Sequence, residues 1–251
     1  MKIIRLAAAL LLTVTAAQAQ QNSFTIQSKG AVIGKCVYTF DRSKDGFKVL
    51  SRYQAKVAAQ FHEGSDPSNP VTSMITDIQQ SNAYKLDANY GYLGGSINSN
   101  DGARTMIYGY SPNKQHTVMQ LSSMQGGIQG PTSELNLSPG YMVLSPNDAS
   151  AIQALLYQAT THPTPDNLYF LIVPSPNPRS GPSSVQAKWT PQPDAAGTLA
   201  GKPVTLHHFS FAFGKSVSDI YSDDTNTLME VDISVLNVSY IRNGFTLGPA
   251  K

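Results

Sequence analysis

One run constrains the fold more than any other. From Phe47 to Phe61, Phe47, Val49, Tyr53, Ala55, Val57 and Phe61 alternate with Lys48, Arg52, Gln54, Lys56 and Gln60. A period of two places these sets on opposite sides of a β-strand, one dry and one wet. Such a strand belongs to an antiparallel sheet with one face solvated. Upstream, Cys36, Tyr38 and Phe40 repeat the alternation, and Ser43-Lys44-Asp45-Gly46 supplies a turn. The two runs therefore predict a long hairpin.

Shorter runs of the same kind fill most of the remaining chain. They cover Phe24 to Gln27, Met74 to Gln80, Tyr84 to Tyr92, Met106 to Tyr110, His116 to Leu121 and Tyr141 to Leu144. Later ones are Leu168 to Val173, Val185 to Trp189, Val204 to Phe213, Ser218 to Tyr221, Leu228 to Ile233 and Leu236 to Arg242. LYFLIV at Leu168 to Val173 is apolar throughout and reads as a strand buried on both faces. Glu63 to Pro70, Met124 to Gly140, Pro174 to Ser183 and Pro191 to Pro203 are rich in Gly, Pro, Ser or Asn and are expected to be irregular.

Only Ser145 to Thr160 breaks the strand pattern. Ser145 suits an N-cap, Pro146 the first helical position, and Asp148 the positive helix end. Ile152, Leu155, Leu156 and Ala159 recur at helical spacing, and His162-Pro163 stops the helix. The expected fold is mainly β: a large curved antiparallel sheet, a half-barrel or open barrel, with one central helix packed across it.

Residues 1–19 read as a signal peptide. Lys2 and Arg5 precede an apolar run too short to span a bilayer, and Ala17-Gln18-Ala19 fits a cleavage site. The expected location is periplasmic or secreted, with residues 20–251 forming a single β-rich domain. No transmembrane segment is expected in this mature chain. Loss of Lys2 and Arg5 leaves sixteen basic against sixteen acidic side chains. A neutral chain with no basic run offers nothing to nucleic acid or an anionic membrane. The lone Cys36 can form no internal disulfide and is expected to be buried.

No catalytic residue, metal ligand or cofactor is assigned. The adjacent His207 and His208 would face opposite sides of a strand, so they are poorly placed to share a metal. His207 shares its side with Phe209, Phe211 and Phe213 and reads as a core histidine, with His208 the exposed one. Asp223-Asp224 reads as a turn, and no nucleophile elbow or calcium loop is present. The tyrosines Tyr84, Tyr90, Tyr92, Tyr108 and Tyr110 read as sheet packing before they read as a binding surface.

Short motifs at both ends resemble a family of uncharacterised exported bacterial proteins that look like the half-barrel of periplasmic lipoprotein carriers. They are Ser28-Lys29-Gly30, Ile33-Gly34 and Tyr38 near the start, then Asp223-Asp224 before Leu228-Met229-Glu230-Val231, and Arg242-Asn243-Gly244-Phe245. The resemblance implies lipid or acyl binding on an apolar sheet face beneath a helix. On that expectation Ile152, Leu155 and Leu156 contact the ligand from the helix, with Phe209 and Phe211 as wall residues. The alternatives are an envelope interaction or scaffold protein without a cavity, and a hydrolase whose site would draw on His207, Glu230 and Arg242.

Overall fold

In the computed structural model, residues 21–62, 71–102, 105–130, 132–138, 140–144, 148–173, 183–214 and 216–248 are described. The signal-peptide expectation lies outside them, as do Glu63 to Pro70 and most of the proline-rich segment after Val173.

The strands in chain order are β1 (Asn22–Ser28), β2 (Ala31–Ser43), β3 (Gly46–His62), β4 (Val71–Leu86), β5 (Tyr92–Asn100) and β6 (Thr105–Pro112). Then come β7 (Val118–Gln125), β8 (Ile128–Gln129), β9 (Ser133–Asn136) and β10 (Met142–Val143). After helix α1 (Ala149–Thr161) follow β11 (Leu168–Val173), β12 (Ser183–Leu199), β13 (Lys202–Phe213) and β14 (Ser216–Ser222). The chain closes with β15 (Leu228–Ile233), β16 (Val238–Arg242) and β17 (Phe245–Leu247). These 17 strands form one open, curved sheet with the helix packed on it, as the alternation predicts.

Two meanders meet at β1. On one side β1 pairs with β2, and neighbours follow in order through β7. On the other side β1 pairs with β16, and the order runs back from β15 to β11. The N-terminal strand thus stitches the late hairpins to the early ones. The hairpin between β2 and β3 has the expected register, with Phe40 opposite Val49 and Cys36 opposite Tyr53. Cys36, Tyr38, Val49, Tyr53 and Ala55 are buried, while Lys48, Arg52 and Gln54 on the other face are exposed. The dry face continues through Tyr84, Tyr92, Ile97 and Tyr110, so three of the five tyrosines are fully in the core.

The run expected as one strand from Tyr84 to Tyr92 instead turns at Asp87 to Gly91, between β4 and β5, and the structure corrects four further expectations. First, α1 starts at Ala149 with Asp148 as its N-cap, not at Ser145; Ser145 to Asn147 lie outside the described residues. Asp148 is the better cap because its carboxylate also serves the sheet below. Second, β12 runs straight through the segment expected to be a loop after Pro191. β11 covers β12 only from Ser183 to Lys188, and β17 only from Gly197 to Leu199. Pro191 and Pro193 fall between, on an open side where a missing N–H costs no ladder bond, and a bulge separates Gln192 from Ala195. Third, the short β8 and β9 occupy the segment expected to be irregular after Met124. Fourth, the histidines exchange roles. The His207 side chain is 41% exposed beside Asp194 and Asp224, whereas His208 is 20% exposed, stacks on Tyr221 and contacts Asp219.

Candidate functional site

The interface between α1 and the sheet is the best-defined site in the molecule. Nine of the thirteen helical residues are buried, including Ser150, Gln153 and Gln158. A helix wetted on so little of its surface is a core element more than a surface lid.

At its start, Asp148 sits on the dry face above β3 and β4. Oδ1 accepts from the Ser150 amide at 2.9 Å and the Ser150 hydroxyl at 2.6 Å. Oδ2 accepts from Asn82 Nδ2 at 2.7 Å, and the Ser51 hydroxyl bonds the same carboxylate. The Ser150 proton is committed to Asp148, so Tyr84 donates its phenol proton to Ser150 Oγ at 2.8 Å. Burial pushes the Asp148 carboxyl up, and the bonds from Ser150, Ser51 and Asn82 pull it partway back. With four donors on two oxygens, it has little capacity left for a ligand.

Next along the helix, Gln153 ties the two meanders together. Tyr38 on β2 donates to Gln153 Oε1 at 3.0 Å, and so does the Leu228 amide on β15 at 2.8 Å. Gln153 Nε2 donates to the Asn226 carbonyl at 2.7 Å.

On its β13–β16 side the helix is less closely met. A cavity of about 170 Å³ lies there, lined mainly by Leu144, Ile152, Val173, Phe213, Val231 and Ile233. Asp148, Ser216 and Ser218 add a little polar surface, and the exposed Leu236 stands at its edge. Of the five residues expected to touch a ligand, Ile152 lines this space. Leu155, Leu156 and Phe211 have no exposure and lie in the main core, while Phe209 packs half-buried on Trp189 at 4.8 Å between ring centres. Phe213, one alternation beyond Phe211, takes the wall position.

Among the cavity's lining residues the titratable groups are Asp148, whose oxygens are already bonded, and the buried Tyr240. The buried Cys36 thiol is pushed up to about 12, first by burial and then by Asp148, so it is no nucleophile at neutral pH. Glu230 is pushed up to about 7, first by burial and then by the Asp232 charge. It lies in register with His208 and Tyr221 on the face away from the helix, while Arg242 is in register with Phe24 on the helix side. The His207, Glu230 and Arg242 grouping is therefore not assembled. Among the described residues, no cluster of three or more His, Cys, Asp and Glu is arranged to hold a metal.

Alternation reveals only part of this site. Ser51 and Asn82 are polar residues in the inward register of their strands, and that mismatch is the legible sign of a buried partner. Nothing local pairs them with Asp148, which is 66 residues from Asn82. No protein-family model, curated protein or solved structure matches this chain.

Proposed function

We propose that this protein is a non-catalytic binder of an apolar ligand, held between α1 and β13–β16. One observation carries the reading: a cavity walled by aliphatic and aromatic side chains, with an exposed apolar residue at its edge. Its size sets the cargo. An apolar cavity of roughly 150 Å³ stays dry and takes a benzene-sized guest. A space of about 170 Å³ therefore suits the end of an acyl chain or one small ring, not a whole lipid. Binding draws on burial of apolar surface, at about 25 cal/mol per Å² before association costs. The leader-like N-terminus and the lipoprotein-carrier-like motifs favour a periplasmic or secreted binder of acyl groups.

Native mass spectrometry of protein taken from a periplasmic extract without detergent, followed by organic extraction, tests this. Near-stoichiometric bound lipid or fatty acid is expected, and Ile152→Asp should lose it while keeping the β-sheet circular dichroism. A clean apo mass with no uptake of added octanoic acid overturns the reading in favour of an envelope interaction protein.

A further inference from the structure

The opposite face of the early meander carries a second, chemically different concavity. Two adjoining troughs of about 490 and 690 Å³ lie over β2–β6 and share Gln21, Val37, Arg52, Ser81 and Asn98. Their floor is laid out by strand register. Lys35, Gln54, Gln79, Asn100 and Thr105 are successive partners across β2, β3, β4, β5 and β6. A second row, two residues along, runs Val37, Arg52, Ser81 and Asn98. Lys35, Arg52, Gln54, Gln79, Ser81, Asn98 and Asn100 are all exposed.

Three features define what this surface suits. Carboxylates are missing from the residues lining either trough. Lys35 and Arg52 are diagonal neighbours of like charge, and among the described residues neither makes an ion pair or a hydrogen bond. With no partner of their own among the described residues, the two cations can both turn charge-assisted hydrogen bonds on an anion laid between them. Around them the side-chain amides offer both donors and acceptors, the pairing that hydroxyl groups require. The rows step by about 4.8 Å from strand to strand, close to the rise per sugar of an extended glycan. The aromatic rings of Tyr38 and Tyr53 turn to the buried face, so among the described residues lining the troughs no stacking platform serves a neutral sugar or a nucleobase.

We propose that this face binds an acidic polysaccharide, laid across the strands with its carboxylates at Lys35 and Arg52 and its hydroxyls on the amide rows. The site is separate from the apolar cavity and stands or falls without it.

Isothermal titration of the full mature chain with a galacturonic acid hexamer tests the proposal. Saturable binding is expected at physiological salt. The double variant Lys35→Gln with Arg52→Gln should weaken it at least about tenfold, the loss of charge-assisted contacts. Its melting temperature should not fall, since both side chains are exposed and unpaired. Asn98→Ala with Asn100→Ala should weaken the hexamer without altering its salt dependence. Absence of saturable binding, an unchanged affinity in the charge variant, or equal affinity for hexaglutamate would overturn the assignment.

Discussion

Helix α1 is held differently on its two flanks. Towards β2–β4 it meets a closed polar assembly in which Asp148, Ser150, Asn82, Ser51 and Tyr84 satisfy one another. Towards β13–β16 the same helix leaves a cavity of about 170 Å³ with almost no polar lining. The first flank specifies position: directional bonds in a dry setting allow one placement of the helix start. The second contributes little to specification, because apolar contacts are non-directional and some have been left unmade. A protein that must hold a helix steady beside a receptive space gains from this division. The polar flank bears the positioning, so the apolar flank need not be filled.

The largest effect should come from breaking the polar flank. Asp148→Ala removes the helix cap and the carboxylate bonds of Asn82 and Ser150, leaving Asn82 its bond to Ser51 and Ser150 its bond to Tyr84 in the dry interior. A lost cap costs about 1 kcal/mol and each lost hydrogen bond to a buried carboxylate about 1.5–3 kcal/mol, so destabilisation of roughly 3 kcal/mol or more is expected. Asp148→Asn should cost less, because it keeps one acceptor oxygen but turns a donor towards Asn82 or Ser150. Guanidinium unfolding midpoints would rank wild type above Asn and Asn above Ala. If Ala and Asn were equal, shape rather than acceptor chemistry would be holding the helix start.

That contrast also explains what could be read in advance. The sheet was legible because period-two alternation is local, and the β2–β3 hairpin has the register its turn implies. The helix was legible from Ile152, Leu155, Leu156 and Ala159, but its start was misplaced. Ser145 and Asp148 are both good caps locally, and only the distant Ser51 and Asn82 decide between them. The strand through Pro191 was missed because proline is tolerated there only where β11 and β17 leave a gap, a fact of sheet assembly. The cavity wall was half legible: the Phe209, Phe211 and Phe213 alternation is plain, yet which ring borders empty space depends on how the late meander curves past the helix. The amide rows of the outer face were visible only as ordinary wet positions, since register across five strands is a long-range property.

A smaller effect, of opposite sign, should come from filling the apolar flank. Ser218 is 3% exposed, borders the cavity and pairs with Phe211 and Ile233. Ser218→Val puts a β-branched residue in a strand and extra carbon into empty space. A gain of about 0.5–1 kcal/mol is expected from such cavity filling. Uptake of octanoic acid, measured by native mass spectrometry, should fall at least about tenfold with the space. A stabilised variant that still took up octanoic acid would move the ligand elsewhere and leave the cavity a packing defect.

The smallest effect lies behind the cavity wall, where Glu230 contrasts with Asp148 as a carboxyl without such a donor set. Its neighbours on that face are Tyr221 across β14, Ile241 across β16 and Asp232 on its own strand. Burial and Asp232 raise it from 4.5 to about 7. A carboxyl raised on folding binds its proton more tightly in the native state. The stability this confers is fully present below about pH 4.5 and is lost as pH rises through about 7. The wild-type melting temperature should therefore carry a falling contribution across that window. Asp148 adds one of the same sign, so the informative quantity is the difference between wild type and Glu230→Gln. The variant should show a flatter profile and exceed wild type above neutral pH. The margin is modest because Glu230 keeps partial contact with water, which screens its repulsion from Asp232. Parallel profiles across this window would show that Glu230 is solvated in both states, leaving Asp148 as the carboxyl whose burial governs acid-range stability.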